Sequence, residues 1–364
     1  MFEMPAYQNL SKEQDSVINL PLEGISLITG PPGTGKTVVA LYRAELCQKA
    51  GMSPRLIVFN NTLDQYLNLA TNHIGVSANT STFHSWFGSW YNENFGRYAP
   101  KVDDYVFDWD QIFINIGHKG NDINKEKYII LDEGQDFPPR LYMILPLIME
   151  NISVYADENQ RLREHNSTIN EIRKNLGLIK TYPLTRNYRN SRPIAEFAKE
   201  FYSGLASGIP ILPERTGDRP RVITGTPYRQ QIKNIITYAQ NNPKKQIGVF
   251  VWDRKTQWSI YAGITDNSDL PVQMYRPNGR EFLTIDFTKN GIFLFCFAST
   301  KGLEFDTVYL PQLQKIRTDA DSDDLKMKMY VLTSRARDEL ILMTGDQEVP
   351  GFMEHVPDNL FNRL

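Results

Sequence analysis

Cysteine is nearly absent: Cys47 and Cys296 are the only two in 364 residues, which excludes a disulfide framework and suits a reducing compartment. No uninterrupted apolar run approaches the length that spans a bilayer. Residues Met1 to Leu10 lack the basic segment and apolar core of a signal peptide, so the expectation is a soluble, cytoplasmic chain with no membrane partner. Neither sign of charge dominates, with 40 basic against 42 acidic residues and a net charge of −2. No global basic excess advertises nucleic acid, although a groove can be locally basic on a near-neutral protein. Repeats at solenoid spacing and long low-complexity tracts are also missing. What remains is a chain too long for one typical domain, whose 41% hydrophobic and 12% aromatic content can fill two cores.

Two separated stretches carry phosphate chemistry. Gly30-Pro31-Pro32-Gly33-Thr34-Gly35-Lys36-Thr37 fits G-x-x-x-x-G-K-[ST] and follows an apolar run, Ile25 to Ile28, that reads as a buried strand. Glycines let backbone N–H groups turn inward around a polyphosphate, and Lys36 reaches the β- and γ-phosphates. Thr37 offers a hydroxyl to Mg²⁺, and Val38 to Leu46 supplies a helix whose positive end faces the anion. The second stretch, Tyr128-Ile129-Ile130-Leu131-Asp132-Glu133, is an apolar strand ending in two acids. Asp132 would hold the metal and Glu133 would polarise an attacking water. ATP and Mg²⁺ are the cofactors this chemistry implies.

Strand-like runs at Ile25–Ile28, Leu56–Phe59, Tyr128–Leu131, Ile152–Tyr155 and Ile179–Tyr182 alternate with helical patterns at Val38–Ala50, Leu63–His73, Pro139–Glu150 and Thr168–Leu176. After a helix at Pro193–Tyr202 a second series follows: strands at Arg221–Thr224, Ile247–Trp252, Gly291–Phe297, Thr307–Leu310 and Glu339–Thr344, with helices at Arg229–Asn241 and Asp324–Ala336. Such alternation predicts α/β domains, each a parallel sheet with helices on both faces. Gly204 to Pro220, rich in Gly and Pro, reads as a loop into the second sheet.

With the later motifs placed, the chain resembles a superfamily 1 helicase of the UvrD/Rep type, from Gln14 to about Thr344. Gln14 resembles the glutamine that reads adenine, and Thr82-Phe83-His84-Ser85 the segment lying along the nucleic-acid strand. Asp132-Glu133-Gly134-Gln135-Asp136 has the family's DExQD form, and Ala156-Asp157-Glu158-Asn159-Gln160 resembles motif III, where Gln160 senses the γ-phosphate. Asn187-Tyr188-Arg189-Asn190 is similar to motif IV, implying that Tyr188 stacks on the base and Arg189 touches the γ-phosphate. Ser299-Thr300-Lys301-Gly302-Leu303-Glu304-Phe305 resembles motif V, with Glu304 near the ribose and phosphates. Tyr330-Val331-Leu332-Thr333-Ser334-Arg335-Ala336 resembles motif VI, in which Arg335 is an arginine finger. The resemblance implies two RecA-like P-loop NTPase domains: residues 1–190, with a reduced insertion near 86–126, and 191–364.

The resemblance also has gaps. About fifty residues separate Thr82 from Asp132, too few for a large accessory subdomain, and Trp252 to Gly291 is too short for a second. After Gln160 the chain reads Arg161-Leu162-Arg163-Glu164-His165, without the family's base-stacking aromatic, and Ala298 stands where a histidine usually precedes the motif V serine. Candidates for gripping a strand are Phe59, Asn60, Thr82, His84, Trp86 and Lys301. The rings Phe83, Phe87, Trp90 and Tyr91 recur at three- to four-residue spacing, which also fits a buried helix face. The function expected is a nucleic-acid-dependent ATP hydrolase that translocates on single-stranded nucleic acid, DNA rather than RNA, in the 3′-to-5′ direction with limited or partner-dependent unwinding. The alternative is an ATP-driven regulatory switch controlling an effector such as a nuclease.

Overall fold

A computed structural model describes residues 4–76, 78–157, 166–202, 204, 208–277, 282–316 and 322–364. The chain divides into two compact units, one of Met4–Gly30 and Lys36–Leu184, the other of Pro31–Gly35 and Thr185–Leu364.

The first unit is built on strands β1 (Ile25–Thr29), β2 (Arg55–Val58), β3 (Asn79–Thr82), β6 (Glu126–Leu131), β7 (Met149–Ala156) and β8 (Tyr182–Pro183), with a small hairpin of β4 (Lys101–Asp103) and β5 (Val106–Phe107) outside the sheet. The six-stranded sheet runs β3-β2-β6-β7-β1-β8, parallel throughout. Its central strands are largely buried on both sides because helices cover both faces. Alternation sends Leu27, Ile57, Ile129, Leu131, Ile152 and Val154 into one core, shared with residues of α4 (Phe83–Phe95), α5 (Trp109–Lys119), α6 (Pro139–Ile148) and α7 (Ile169–Asn175). The intervening side chains face the other way. There Ser26 and Ser153 hydroxyls meet at 2.9 Å, Tyr128 reaches Ser153 at 2.8 Å, and Arg43 of α2 (Lys36–Lys49) donates to Tyr128 at 3.0 Å.

The second unit carries β9 (Arg221–Ile223), β10 (Gln246–Val251), β11 (Val272–Met274), β12 (Gly291–Cys296), β13 (Phe305–Leu310), β14 (Ala336–Met343) and β15 (Asn362–Arg363). They form a second all-parallel sheet, β11-β12-β10-β13-β14-β9-β15. Helices α8 (Arg192–Lys199), α9 (Tyr228–Asn241), α10 (Arg254–Thr265) and α11 (Asp323–Thr333) pack on it, and Ile232, Ile235, Val249, Ile260, Leu294 and Ile341 meet in its core. The protein is therefore α/β with two parallel sheets flanked by helices. Among the described residues no helix is long and apolar enough to cross a membrane.

The structure departs from the sequence pattern in particular places. The strand expected at Ile179–Tyr182 shrinks to Tyr182–Pro183, and Ile179 is 96% exposed, an isolated apolar residue in a turn rather than a core position. The helix expected to reach Glu150 stops at Ile148, because β7 begins at Met149, which pairs with Glu126 of β6. The helix expected to end at Ala336 stops at Thr333, and Ala336 opens β14. Strand β3 and helix α10 carry no strong hydrophobic period and were not legible.

The aromatic spacing in α4 resolves as a core face. Phe83, Trp86, Phe87, Trp90 and Tyr91 are all buried, and Phe87 is ringed by Phe83, Trp86, Trp90, Phe107 and Trp109 at centroid distances of 5.0–5.9 Å. Truncating Phe87 removes a ring that nothing can refill. Phe87→Ala is expected to cost about 3–5 kcal/mol in denaturant unfolding; a cost under about 1 kcal/mol would show this face to be loosely packed and the core assignment wrong.

Candidate active site

In a parallel sheet the loops that leave the carboxyl ends of the strands gather on one edge, and that edge collects the chemistry here. Strands β1, β6 and β7 end in Thr29, Leu131 and Ala156, and the next residues are Gly30, Asp132 and Asp157. Strand β7 lies between the strand feeding the glycine loop and the strand feeding the acids.

The glycine loop is anchored at its start by the Gly30 N–H, which donates to the Ala156 carbonyl at 3.2 Å. Gly33 and Gly35 have φ of +81° and +85°, a backbone state that costs any residue with a Cβ. At Gly33 space adds a second reason: a Cβ would sit 2.3 Å from Asn187 Oδ1, while the Gly33 carbonyl accepts the Tyr188 N–H at 2.7 Å. Helix α2 begins at Lys36, directly after the loop in sequence, and the N-terminal end of a helix favours an anion. Lys36 is 6% exposed; its ammonium donates to the Gly30 carbonyl at 2.7 Å and lies 3.8 Å from Asp157 Oδ2.

The acidic strand end meets the same helix start. Thr37 Oγ1 donates to Asp132 Oδ2 at 2.7 Å, and Asp132 N–H is held by the Ile57 carbonyl at 3.0 Å. Glu133 sits in the left-handed region, φ +54°, uncommon for a residue with a long side chain, and its N–H donates to Asp132 Oδ1 at 3.0 Å. Gln135 then joins the strand ends: its Nε2 donates to Glu133 Oε2 at 2.5 Å, and its Oε1 accepts the Asp157 N–H at 2.8 Å. Gln135 and Asp157 were quoted within motifs but given no role from sequence; their contribution follows from contacts that no spacing shows.

Burial first, and then the charge of Glu133, pushes the Asp132 carboxyl up to about 7, despite the Thr37 hydroxyl and the Lys36 charge pulling it down. Two buried carboxylates side by side create a standing demand for positive charge. A hard divalent cation keeps several waters and takes oxygen ligands, which the Thr37 hydroxyl and the Asp132 carboxylate could supply in part.

A second polar cluster lies within the other unit. Arg189 donates from Nε to Glu304 Oε2 at 2.6 Å, and Arg337 approaches Glu304 Oε1 at 3.8 Å and Asp306 Oδ1 at 3.4 Å. Burial would raise the Glu304 carboxyl, but Arg189 and Arg337, with Arg335 behind them, hold it below the usual carboxylate range. Arg335 is buried, donating from Nε to the Val331 carbonyl at 3.1 Å and from Nη1 to the Leu303 carbonyl at 3.3 Å. Asn187 Oδ1 accepts the Arg189 and Asn190 N–H groups, and Asn190 Nδ2 donates to the Ser334 and Ala336 carbonyls, tying the Asn-Tyr-Arg segment to the start of β14.

The remaining candidates fall as follows. Tyr188 is 43% exposed. Gln14 is 5% exposed, with its Oε1 accepting the Ser11 N–H in a capping box that starts α1 (Lys12–Ile18). Pro31, Pro32 and Thr34 complete the loop, with Thr34 Oγ1 donating to the Pro31 carbonyl at 2.9 Å. Asn60 caps α3 (Asn61–His73), accepting the Leu63 N–H at 2.7 Å. Phe59 packs on Phe83, His84 and Phe137. Thr82 precedes α4, and His84 meets the Tyr105 carbonyl at 3.0 Å, with burial lowering its pKa. Trp86 is a correction: at 3% exposure, donating to Glu126 at 3.1 Å, it offers no face to a base. Lys301 is 3% exposed, so its charge lies inside the fold rather than on a surface. Gln160 lies outside the described residues.

Residues 14–164 match the sequence profile of an AAA domain family. No curated protein matches the chain. Among solved structures, the C-terminal domain of a possible DNA helicase from Lactobacillus plantarum WCFS1 is similar over 48% of this chain and 98% of its own, at 18% identity and a TM-score of 0.37. Arterivirus nonstructural protein 10, a helicase, is similar over 94% of this chain at 13% identity and a TM-score of 0.45; the chain spans 64% of that protein's length. The matched stretch contains both the glycine loop and the acidic strand end, and with the ordered motifs it makes the chain similar to a superfamily 1 helicase-type core.

The raised Asp132 carboxyl has a consequence for stability. Its folded pKa lies above its unfolded value, so the folded chain binds the extra proton, and stability falls as pH rises from about 4 to about 7. Asp132→Asn is therefore expected to raise the melting temperature of the metal-free, nucleotide-free chain at pH 8, by up to about 4 kcal/mol in stability, and to flatten that slope. An Asn variant that melts lower than wild type at pH 8 would contradict the charge-frustration account.

Proposed function

We propose that this chain is an ATP hydrolase stimulated by single-stranded nucleic acid, which it tracks along in the manner of a UvrD-type motor. The carrying observation is the joining of Lys36, Thr37, Asp132 and Glu133 on one sheet edge, each fixed by a named contact. Lys36 and the α2 N-terminus would neutralise the β- and γ-phosphates. Glu133, steadied by Gln135, would orient and deprotonate the attacking water. Mg²⁺ held by Thr37 and Asp132 would supply charge neutralisation of the phosphates. Gln14 and Tyr188 are assigned to the base, and Glu304 to the ribose and phosphates. Arg189 and Arg335 are assigned the charge that develops on the transferred phosphoryl, as the motif resemblance implies; an arginine finger is worth ~10³–10⁵ in rate in related enzymes. DNA is favoured over RNA and 3′-to-5′ over the reverse on resemblance alone. The absence of room for large accessory subdomains argues for limited unwinding without a partner.

A second reading, a nucleotide-driven switch acting on an effector protein such as a nuclease, has one observation in its favour. The β4–β5 hairpin and its flank expose Tyr98 (90%), Val102 (68%) and Tyr105 (78%), more apolar surface than a solvated hairpin needs. A nucleotide-dependent complex through this hairpin, with turnover indifferent to nucleic acid, is its signature.

ATP turnover measured with and without single strands of DNA and of RNA decides between them. The motor reading expects stimulation by a strand, and a loss of about 10²-fold or more in Lys36→Ala and Glu133→Gln, with Glu133→Gln still binding nucleotide. Strand binding should weaken with salt at a log–log slope of about −0.7 per phosphate contacted. An active preparation whose turnover ignores every strand tested would remove the motor reading.

A further inference from the structure

The strand-gripping rings that the motifs imply are missing from two positions, one after Gln160 and one at Ala298. The second unit holds rings close to the latter. Trp252 follows β10 and Phe297 follows β12, adjacent strands whose register ends at Val251 opposite Cys296. The two rings stack with centroids 5.5 Å apart and planes 18° from parallel. Both are half-buried, and the residue beside Phe297 is Ala298, which is exposed and carries no bulk to cover it.

A cation lies over the pair. The Lys328 ammonium, from α11, lies 5.9 Å from each ring centroid. Arg254 and Lys255, next along from Trp252, are exposed. Asp253, the one acid in this run, is turned to local use: it caps α10, accepting the Thr256 N–H at 2.8 Å and the Thr256 hydroxyl at 2.7 Å. Asp324 pairs with Lys328 from its own helix, so an arriving anion competes for a cation that is already partly exposed. The group sits at the carboxyl ends of two parallel strands, where open α/β sheets take their ligands.

Stacked rings beneath a cation fit a flat ligand that carries a π-face and, one bond system away, a negative charge. A nucleobase with its phosphate has that form. We infer that Trp252 and Phe297 are a base-stacking platform for single-stranded nucleic acid on the second unit, with Lys328 and Arg254 receiving the flanking phosphates. This rests on the nucleic-acid reading above and names the contact that replaces the absent rings. Trp252 and Phe297 would accept any base, because stacking does not discriminate between them strongly, so the platform would grip without reading sequence.

The test uses the full chain and labelled oligo-dT and oligo-rU strands, with affinity read by fluorescence anisotropy and contact by quenching of tryptophan emission. Trp252→Ala and Phe297→Ala are each expected to weaken binding about 10-fold, while Trp252→Phe, which keeps a ring, retains affinity but loses part of the quench. Lys328→Met is expected to lower the salt slope by about 0.7. Wild-type binding with both alanine variants unaffected overturns the platform and leaves the motor reading standing. An equal affinity loss in Trp252→Phe and Trp252→Ala also overturns it, since packing and not stacking would then be the cause. A wild-type chain that binds neither strand removes the motor reading and the platform together.

Discussion

Burying Asp132 and Glu133 together at the end of one strand is the constraint on which the rest of the first unit depends. Neither acid can remain charged in that position without donors and cations brought to it, and the fold supplies them from separate strands. Thr37 comes from the helix after β1, the Ile57 carbonyl fixes the Asp132 backbone from β2, and Gln135 bridges to Asp157 after β7. These contacts can meet only because β2, β6, β7 and β1 lie side by side in that order. The sheet order thus serves the site, and the raised Asp132 carboxyl records how incompletely protein groups alone satisfy it. Under the proposed function, that is stability given up for binding.

The second unit handles charge differently. Its acids and arginines are matched within the unit: Arg189 with Glu304, Arg337 with Glu304 and Asp306, Arg215 with Asp338. Arg215 also donates to the Arg189 and Arg337 carbonyls, so the segment around Tyr188 is braced from two directions. Asn190 adds a third brace at the Ser334 and Ala336 carbonyls. A phosphate that recruits Arg189 must compete with Glu304, a carboxylate kept firmly ionised by its neighbours. The resemblance assigns both residues to nucleotide, and their mutual contact shows how that pair is held when they bind each other instead.

The glycine loop and the acidic strand were legible because each combines a residue pattern with a strand that must precede it. Long apolar strands such as β6 and β10 were legible for the same reason that they are buried on both faces. Strand β3, Asn79-Thr80-Ser81-Thr82, was not, since an edge strand needs no apolar run and its residues read as a loop. Ile179 misled in the opposite sense, an apolar residue in a run that never enters a core. Trp86 stood in the sequence as a strand-gripping candidate, and only its burial shows it to be a core ring. The roles proposed for Gln135 and Trp252 had no signal in the sequence, because each rests on a partner far away in the chain.

On the proposed function, the Asp132–Glu133 end of β6 takes a metal-bound nucleoside triphosphate, and its buried charge is relieved when the ligand arrives. Calorimetric titration of magnesium and a non-hydrolysable ATP analogue, repeated near pH 6.5 in buffers of different ionisation enthalpy, tests it directly. The account predicts metal-dependent binding that releases protons, and the loss of that proton release in Asp132→Asn. Nucleotide binding that is indifferent to magnesium and moves no protons would contradict it.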